Sequence, residues 1–286
     1  MTGWALTLIL AAAVIHATWN FLNKQASGHA AFTWLVAGLS ALLYAPVTMT
    51  VIEVWQIEIG FVTVGFMAGS AVLHTGYFLL LNQGYRAGDL SLVYPLARGT
   101  GPLLSSIAAI LFLGERPSVI ALCGALLIIG GAVILTTNLS QLRQAGAQAA
   151  VLYALITGLF IAAYTIWDKQ AVSHFAIAPL VLDWGANVGR AILLTPFAFK
   201  YADQTIAEWR EHKHEAIVCA VLIPLAYILV LTAMQFTPVS YVAPAREISI
   251  LIGTAMGVRL LGETDAPRRL AGAGAMVLGV IGLAVG

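Results

Sequence analysis

Residues 113–118 read LGERPS and residues 261–267 read LGETDAP, each at the end of an apolar run and each followed by a run rich in Gly and Ala. A second pair, NKQA at 23–26 and DKQA at 168–171, recurs at an offset of 145 residues, against 148 for LGE, in a chain of 286. Two motifs returning in the same order at nearly the same offset mark an internal duplication, with a first copy over residues 1–140 and a second over 149–286. At the LGE offset Arg98 falls on Arg246, and both lie in runs too apolar for a surface helix. A charge in such a run is a functional candidate by default.

Composition sets the class. With 60% hydrophobic residues, 9% charged residues and a mean hydropathy of +0.91, the chain cannot be sorted into one core with a wet surface. Apolar windows of about 20 residues, the length that crosses a hydrocarbon core, fall at roughly 3–23, 30–52, 60–82, 90–113, 118–137, 149–168, 178–199, 216–236, 240–261 and 268–286. The longest polar gap, KYADQTIAEWREHKHE at 200–215, leaves no room for a nucleotide-binding or catalytic domain, so energy for work comes from gradients. Five spans per copy is an odd number, so the second copy enters the membrane from the opposite side. The expected fold is an all-α integral membrane protein of ten transmembrane helices in two inverted five-helix repeats, the build of secondary transporters, whose site lies near the midplane between the halves.

Lys and Arg set the orientation. Gaps after odd-numbered spans hold Lys24, Arg86, Arg143, Lys200, Arg210, Lys213, Arg259, Arg268 and Arg269, and gaps after even-numbered spans hold Arg116 and Lys169. That bias places both termini on the periplasmic side of a bacterial inner membrane. The N-terminal stretch has no positive leader and reads as a first span rather than a cleaved signal. Cys123 and Cys219 lie in separate spans and read as packing residues, and a net charge of +1 offers no surface for nucleic acid. Paired acids with a metal, a nucleophile with its base, and HExxH are all missing, which argues against an enzyme; no cofactor or metal is expected.

Ten spans in two five-helix copies, each carrying LGE (LGERPS, then LGETDAP) before a Gly/Ala-rich last helix, resemble the EamA-type branch of the drug/metabolite transporter superfamily. The resemblance covers nearly the whole chain. It implies a monomer-sized carrier of small metabolites, gradient-driven or facilitative, with a central cavity lined by the third, fourth, eighth and ninth helices among others. It does not imply a substrate.

Arg98 follows Pro95 by three residues and Arg246 follows Pro244 by two, so each arginine is expected beside a helix irregularity. Two fixed guanidinium groups suit a carboxylate or phosphonate, which they grip bidentately; the alternative is an internal pair, with Glu247 as partner. Glu247, whose counterpart is Gly99, is the candidate for proton coupling or, equally, for a permanent ion pair. His16, Trp19 and Asn20 share one face of the first span, as pocket wall or as hydrogen-bonding glue between helices. Tyr164 stands at the position of Trp19 in the second copy. The third span adds His74 and Tyr77, and Tyr94, Tyr227 and Tyr241 are candidate aromatic lining. Asp183, Asn187 and Arg190 form a polar line on the seventh span that reads as a structural ladder. These residues predict a secondary transporter of a small polar solute, anionic or zwitterionic, embedded in the bilayer as a monomer or weak homodimer, with protons as the candidate coupling ion. The alternative is an exporter of neutral or cationic metabolites or drugs, or a channel-like facilitator.

Overall fold

The computed structural model describes residues 1–25, 30–87, 90–136, 147–252 and 266–286, and among them every regular element is helical. The helices are α1 (Gly3–Gln25), α2 (Ala30–Val54), α3 (Phe61–Ala87), α4 (Leu90–Phe112), α5 (Val119–Thr136), α6 (Ala147–Ser173), α7 (Pro179–Lys200), α8 (Ala202–Phe236), α9 (Val239–Ala245) and α10 (Ala266–Val285). Six of them, α1 to α4, α6 and α8, are long and apolar enough to cross a membrane; α5 and α10 are shorter apolar helices. The protein is a multi-pass membrane protein.

Two boundaries differ from the sequence expectation. The polar stretch after α7 is helical, because its Ala, Gln, Glu and Arg are good helix formers, and it merges with the apolar run into α8 across a break at His212 (φ −124°, ψ 27°). The expected ninth span is interrupted. Pro244 has no N–H to donate, α9 stops at Ala245, and Glu247, Ser249 and Ile250 donate three residues back, to Pro244, Arg246 and Glu247, before helix resumes at 248–252. The irregularity anticipated at Arg98 is not there, since α4 runs unbroken from Leu90 to Phe112.

The two copies do not fold as separate bundles. α1 packs on α8 as α6 packs on α3, and α3 packs on α7 as α8 packs on α2, while α2 meets α7 and α5 meets α10. At the α2–α7 contact the indoles are exchanged: Trp34 donates to Thr195 Oγ1 (3.0 Å) and Trp184 to the carbonyl of Ala41 (2.9 Å). The α5–α10 contact explains the Gly-rich last helices. A methyl group on Gly124 would sit 2.7 Å from the carbonyl oxygen of Gly279, and one on Gly131 would sit 2.6 Å from that of Gly272. Only glycine lets backbones come this close. Gly272 and Gly279 stand 148 residues after Gly124 and Gly131, the LGE offset, and the crossed pairing makes α5 and α10 antiparallel.

Candidate functional site

A cavity of about 560 Å³ lies between the halves. It is walled by α1, α2, α3, α4, α6, α7 and α8 and by Arg246, just past the end of α9. The set includes the third, fourth and eighth helices that the family resemblance named, with others beside them. Its volume suits a small metabolite.

Among the described residues three arginines line it: Arg98, Arg190 and Arg246. Burying such a charge in a membrane span costs about 3 kcal/mol, so each needs compensation. Arg98 has it. Its Nε lies 3.1 Å from Oε2 of Glu247, with both side chains nearly fully buried, and its guanidinium also stands 6.0 Å from the centre of the Tyr94 ring. Among the described residues Arg98 is the one arginine with a carboxylate within 4.0 Å. Arg246 lies over the Tyr227 ring, 5.5 Å from its centre, a cation–π contact, and among the described residues no carboxylate comes within 4.0 Å of its guanidinium. Arg190 shares the wall with Asp183, whose Oδ2 accepts from the Asn187 amide (3.0 Å). Asp183 and Arg190 of the polar line on α7 line the cavity, while Asn187 bonds within the helix to Asp183, as the ladder reading has it.

On α1, the Asn20 amide donates to Nδ1 of His16 (2.7 Å), and His16 meets Trp19 edge to face with ring centres 4.7 Å apart. All three line the cavity. Their hydrogen bond runs within α1, so the interhelical glue considered for His16 and Asn20 is not what is found among the described residues. On α3, His74 and Tyr77 line the cavity and pack on Tyr164 of α6, with ring centres 4.1 and 5.9 Å away. Tyr94 and Tyr227 line it as well.

Two candidates are placed elsewhere. Tyr241 is buried away from the cavity, where its hydroxyl donates to the carbonyl of Gly286 (3.3 Å) and accepts from the Ser118 N–H (3.4 Å), tying α9 to the start of α5 and the end of α10. Its position on a face that meets α5 and α10 overrides the lining role expected from its residue type. Glu247 stands behind the wall, reaching the cavity through Arg98.

Asp168 is the residue sequence reasoning missed. It is fully buried, and its Oδ2 accepts from the Tyr227 hydroxyl (2.6 Å) and lies 3.8 Å from Nε2 of His74. It was legible as the first letter of DKQA but sat at the edge of the expected span. α6 continues five residues further, to Ser173, and draws Asp168 inside. Tyr227 thus joins an unexposed carboxylate on one side to the Arg246 guanidinium on the other.

The model of the EamA-like transporter family matches this chain twice, over residues 3–137 and 148–285. Among solved structures, one described as "Crystal structure of protein" superposes with a TM-score of 0.79, covering 100% of this chain and 98% of that one at 13% identity, a likeness of fold alone. No curated protein matches.

Proposed function

The chain belongs to the EamA-like transporter family, whose model matches both of its halves, and from that premise we propose that it is a secondary transporter carrying a small anionic or zwitterionic metabolite through the arginine-lined cavity by alternating access. The observation that carries the solute class is the imbalance in the wall. Of the arginines lining the cavity, Arg98 is neutralised by Glu247, whereas Arg246 stacks on the face of Tyr227 and meets no carboxylate within 4.0 Å among the described residues. A carboxylate or phosphonate on the solute would supply the missing partner, bidentately and out of bulk water. Asp183 on the same wall offers a site for an ammonium group, which favours zwitterions alongside simple anions.

The exchanged packing of the halves and the antiparallel α5–α10 pair support two inverted repeats over 1–140 and 149–286, ten spans in all, with the cavity at their interface. The Lys and Arg bias supports an inner-membrane location with periplasmic termini. Glu247 takes a coupling role only in a conformation where Arg98 lets it go, so proton coupling requires the 3.1 Å pair to open during the cycle. A monomer holds a complete cavity.

The test is a thermal-shift screen of the purified protein against small anions, zwitterions, cations and neutral solutes, since a ligand bound only by the folded state raises its stability. Anions or zwitterions are expected to stabilise the wild type and to lose that effect in Arg246→Ala. Stabilisation by cations or neutral solutes, unchanged in Arg246→Ala, would overturn the solute class and favour an exporter of neutral or cationic compounds.

A further inference from the structure

Building on the carrier reading above, we propose that Glu115 and Lys169 are positioning residues that hold one end of the transport path shut by clamping the connection between α8 and α9, the connection that delivers Arg246 to the cavity. Only Thr237 and Pro238 separate α8 from α9. Such a junction leaves carbonyls free at the end of one helix and N–H groups free at the start of the next. Lys169, on α6, donates through Nζ to the carbonyls of Met234 (2.5 Å) and Thr237 (3.2 Å). Glu115, in the turn between α4 and α5, accepts from the N–H of Val239 (2.6 Å) and from the N–H and hydroxyl of Ser240 (2.9 and 2.7 Å). Each charge has the sign its helix end attracts, a cation at a C-terminus and a carboxylate at an N-terminus.

The turn is built to present that carboxylate. Gly114 adopts φ +68°, a left-handed conformation that suits glycine, and the Glu115 N–H returns to the carbonyl of Ala109 (3.3 Å). Glu115 comes from the first half and the clamped junction from the second, so the bonds tie the halves together. Both clamp residues belong to the recurring motifs, Glu115 to LGE and Lys169 to DKQA.

Leverage follows from length. α9 has seven residues, about 10 Å, and Arg246 and Glu247 come directly after it. Moving its start moves the guanidinium over Tyr227 and the partner of Arg98. The clamp also lies at the far end from the cavity's reach. On α3 the lining runs from His74 to Tyr85, toward the end where Gly84 meets Val93 at the start of α4, whereas Glu115 follows the other end of α4. Over the clamp itself lies a separate recess of about 520 Å³, lined by Glu115, Lys169, Gln170, His174 and Gln235. Opening the path from that recess to the cavity requires these five hydrogen bonds to break, so the clamp biases the carrier toward the conformation described here.

The experiment uses the full chain with Cys123 and Cys219 replaced by Ser and a single reporter, Ile223→Cys, a cavity-lining position on α8 that makes none of the polar contacts above. A membrane-impermeant thiol reagent is added to sealed membrane vesicles of either orientation. With the clamp intact, labelling is expected from one side, the side opposite Glu115. Glu115→Gln and Lys169→Gln are each expected to raise labelling from the clamp side about tenfold, the effect of losing one charge-assisted hydrogen bond, with labelling from the other side unchanged or lower. A merely structural role would speed labelling from both sides alike, and that result overturns the clamp, as does unchanged clamp-side labelling in two variants that purify as folded protein. If the reporter with the intact clamp is labelled from neither side, the cavity is no solute path and the carrier reading fails as well. Labelling from one side with no response to either variant leaves the carrier reading standing and removes the clamp alone.

Discussion

Arg98 and Glu247 lie in different copies of the repeat and meet at 3.1 Å in the interior of the molecule. Both are legible in the sequence as charges in apolar runs and as candidate partners of each other, because such groups are tolerated in a span only when matched. What it could not assign was which arginine Glu247 would choose, since Arg246 is its chain neighbour and Arg98 is the one it reaches. Removing one member of a buried pair strands the other. Arg98→Ala is therefore expected to lower stability by about 3–5 kcal/mol, read as the unfolding midpoint of the purified protein, and Arg98→Ala with Glu247→Gln to recover part of the loss. Glu247→Gln alone releases the Arg98 charge into the cavity wall, so anions should stabilise that variant more than they stabilise the wild type; an unaltered response would show that Arg98 does not face the solute. Tyr227→Phe deprives the buried Asp168 of its 2.6 Å donor, with an expected loss of about 1–3 kcal/mol in the same unfolding assay.

Helix by helix, the apolar windows located the elements well, and the errors have identifiable causes. Hydropathy sees only the membrane-embedded part of α8, because its first turns are polar, although they are rich in helix formers and run up to the break at His212. It also cannot see that Pro244 cuts the ninth span into the short α9 and a resumed helix, since proline affects backbone bonding rather than apolarity. The glycine content of α5 and α10 was visible, but not its pairing. With backbones in contact at Gly124 with Gly279 and at Gly131 with Gly272, any side chain is an overpacking substitution. Gly131→Leu is expected to cost about 1–3 kcal/mol or more and to lower the unfolding midpoint, whereas the same change at Gly274, where a methyl group would meet open space, should be nearly neutral. Equal effects at the two positions would argue that α5 and α10 do not meet through glycine.

For the molecule as a whole, the orientation expected from Lys and Arg can be read directly. In the cysteine-free protein, Lys213→Cys is expected to react with an impermeant thiol reagent only from the cytoplasmic side, and Glu58→Cys, between α2 and α3, only from the opposite side; the reverse pattern would invert the topology while leaving the cavity intact. The sequence by itself determined that the chain is apolar enough to live in a bilayer, that it is duplicated, and that its buried charges are few and nameable, because composition, period and motif spacing are local properties of the chain. The tertiary structure decided which charges meet: Arg98 with Glu247, Asp168 with Tyr227 and His74, and Glu115 and Lys169 at the α8–α9 junction. Those meetings join residues tens to more than a hundred positions apart, and they exist only because the halves pack through each other, exchanging helix contacts rather than closing separate cores. A pairwise charge interaction depends on distance and burial, and neither is written in the order of the residues.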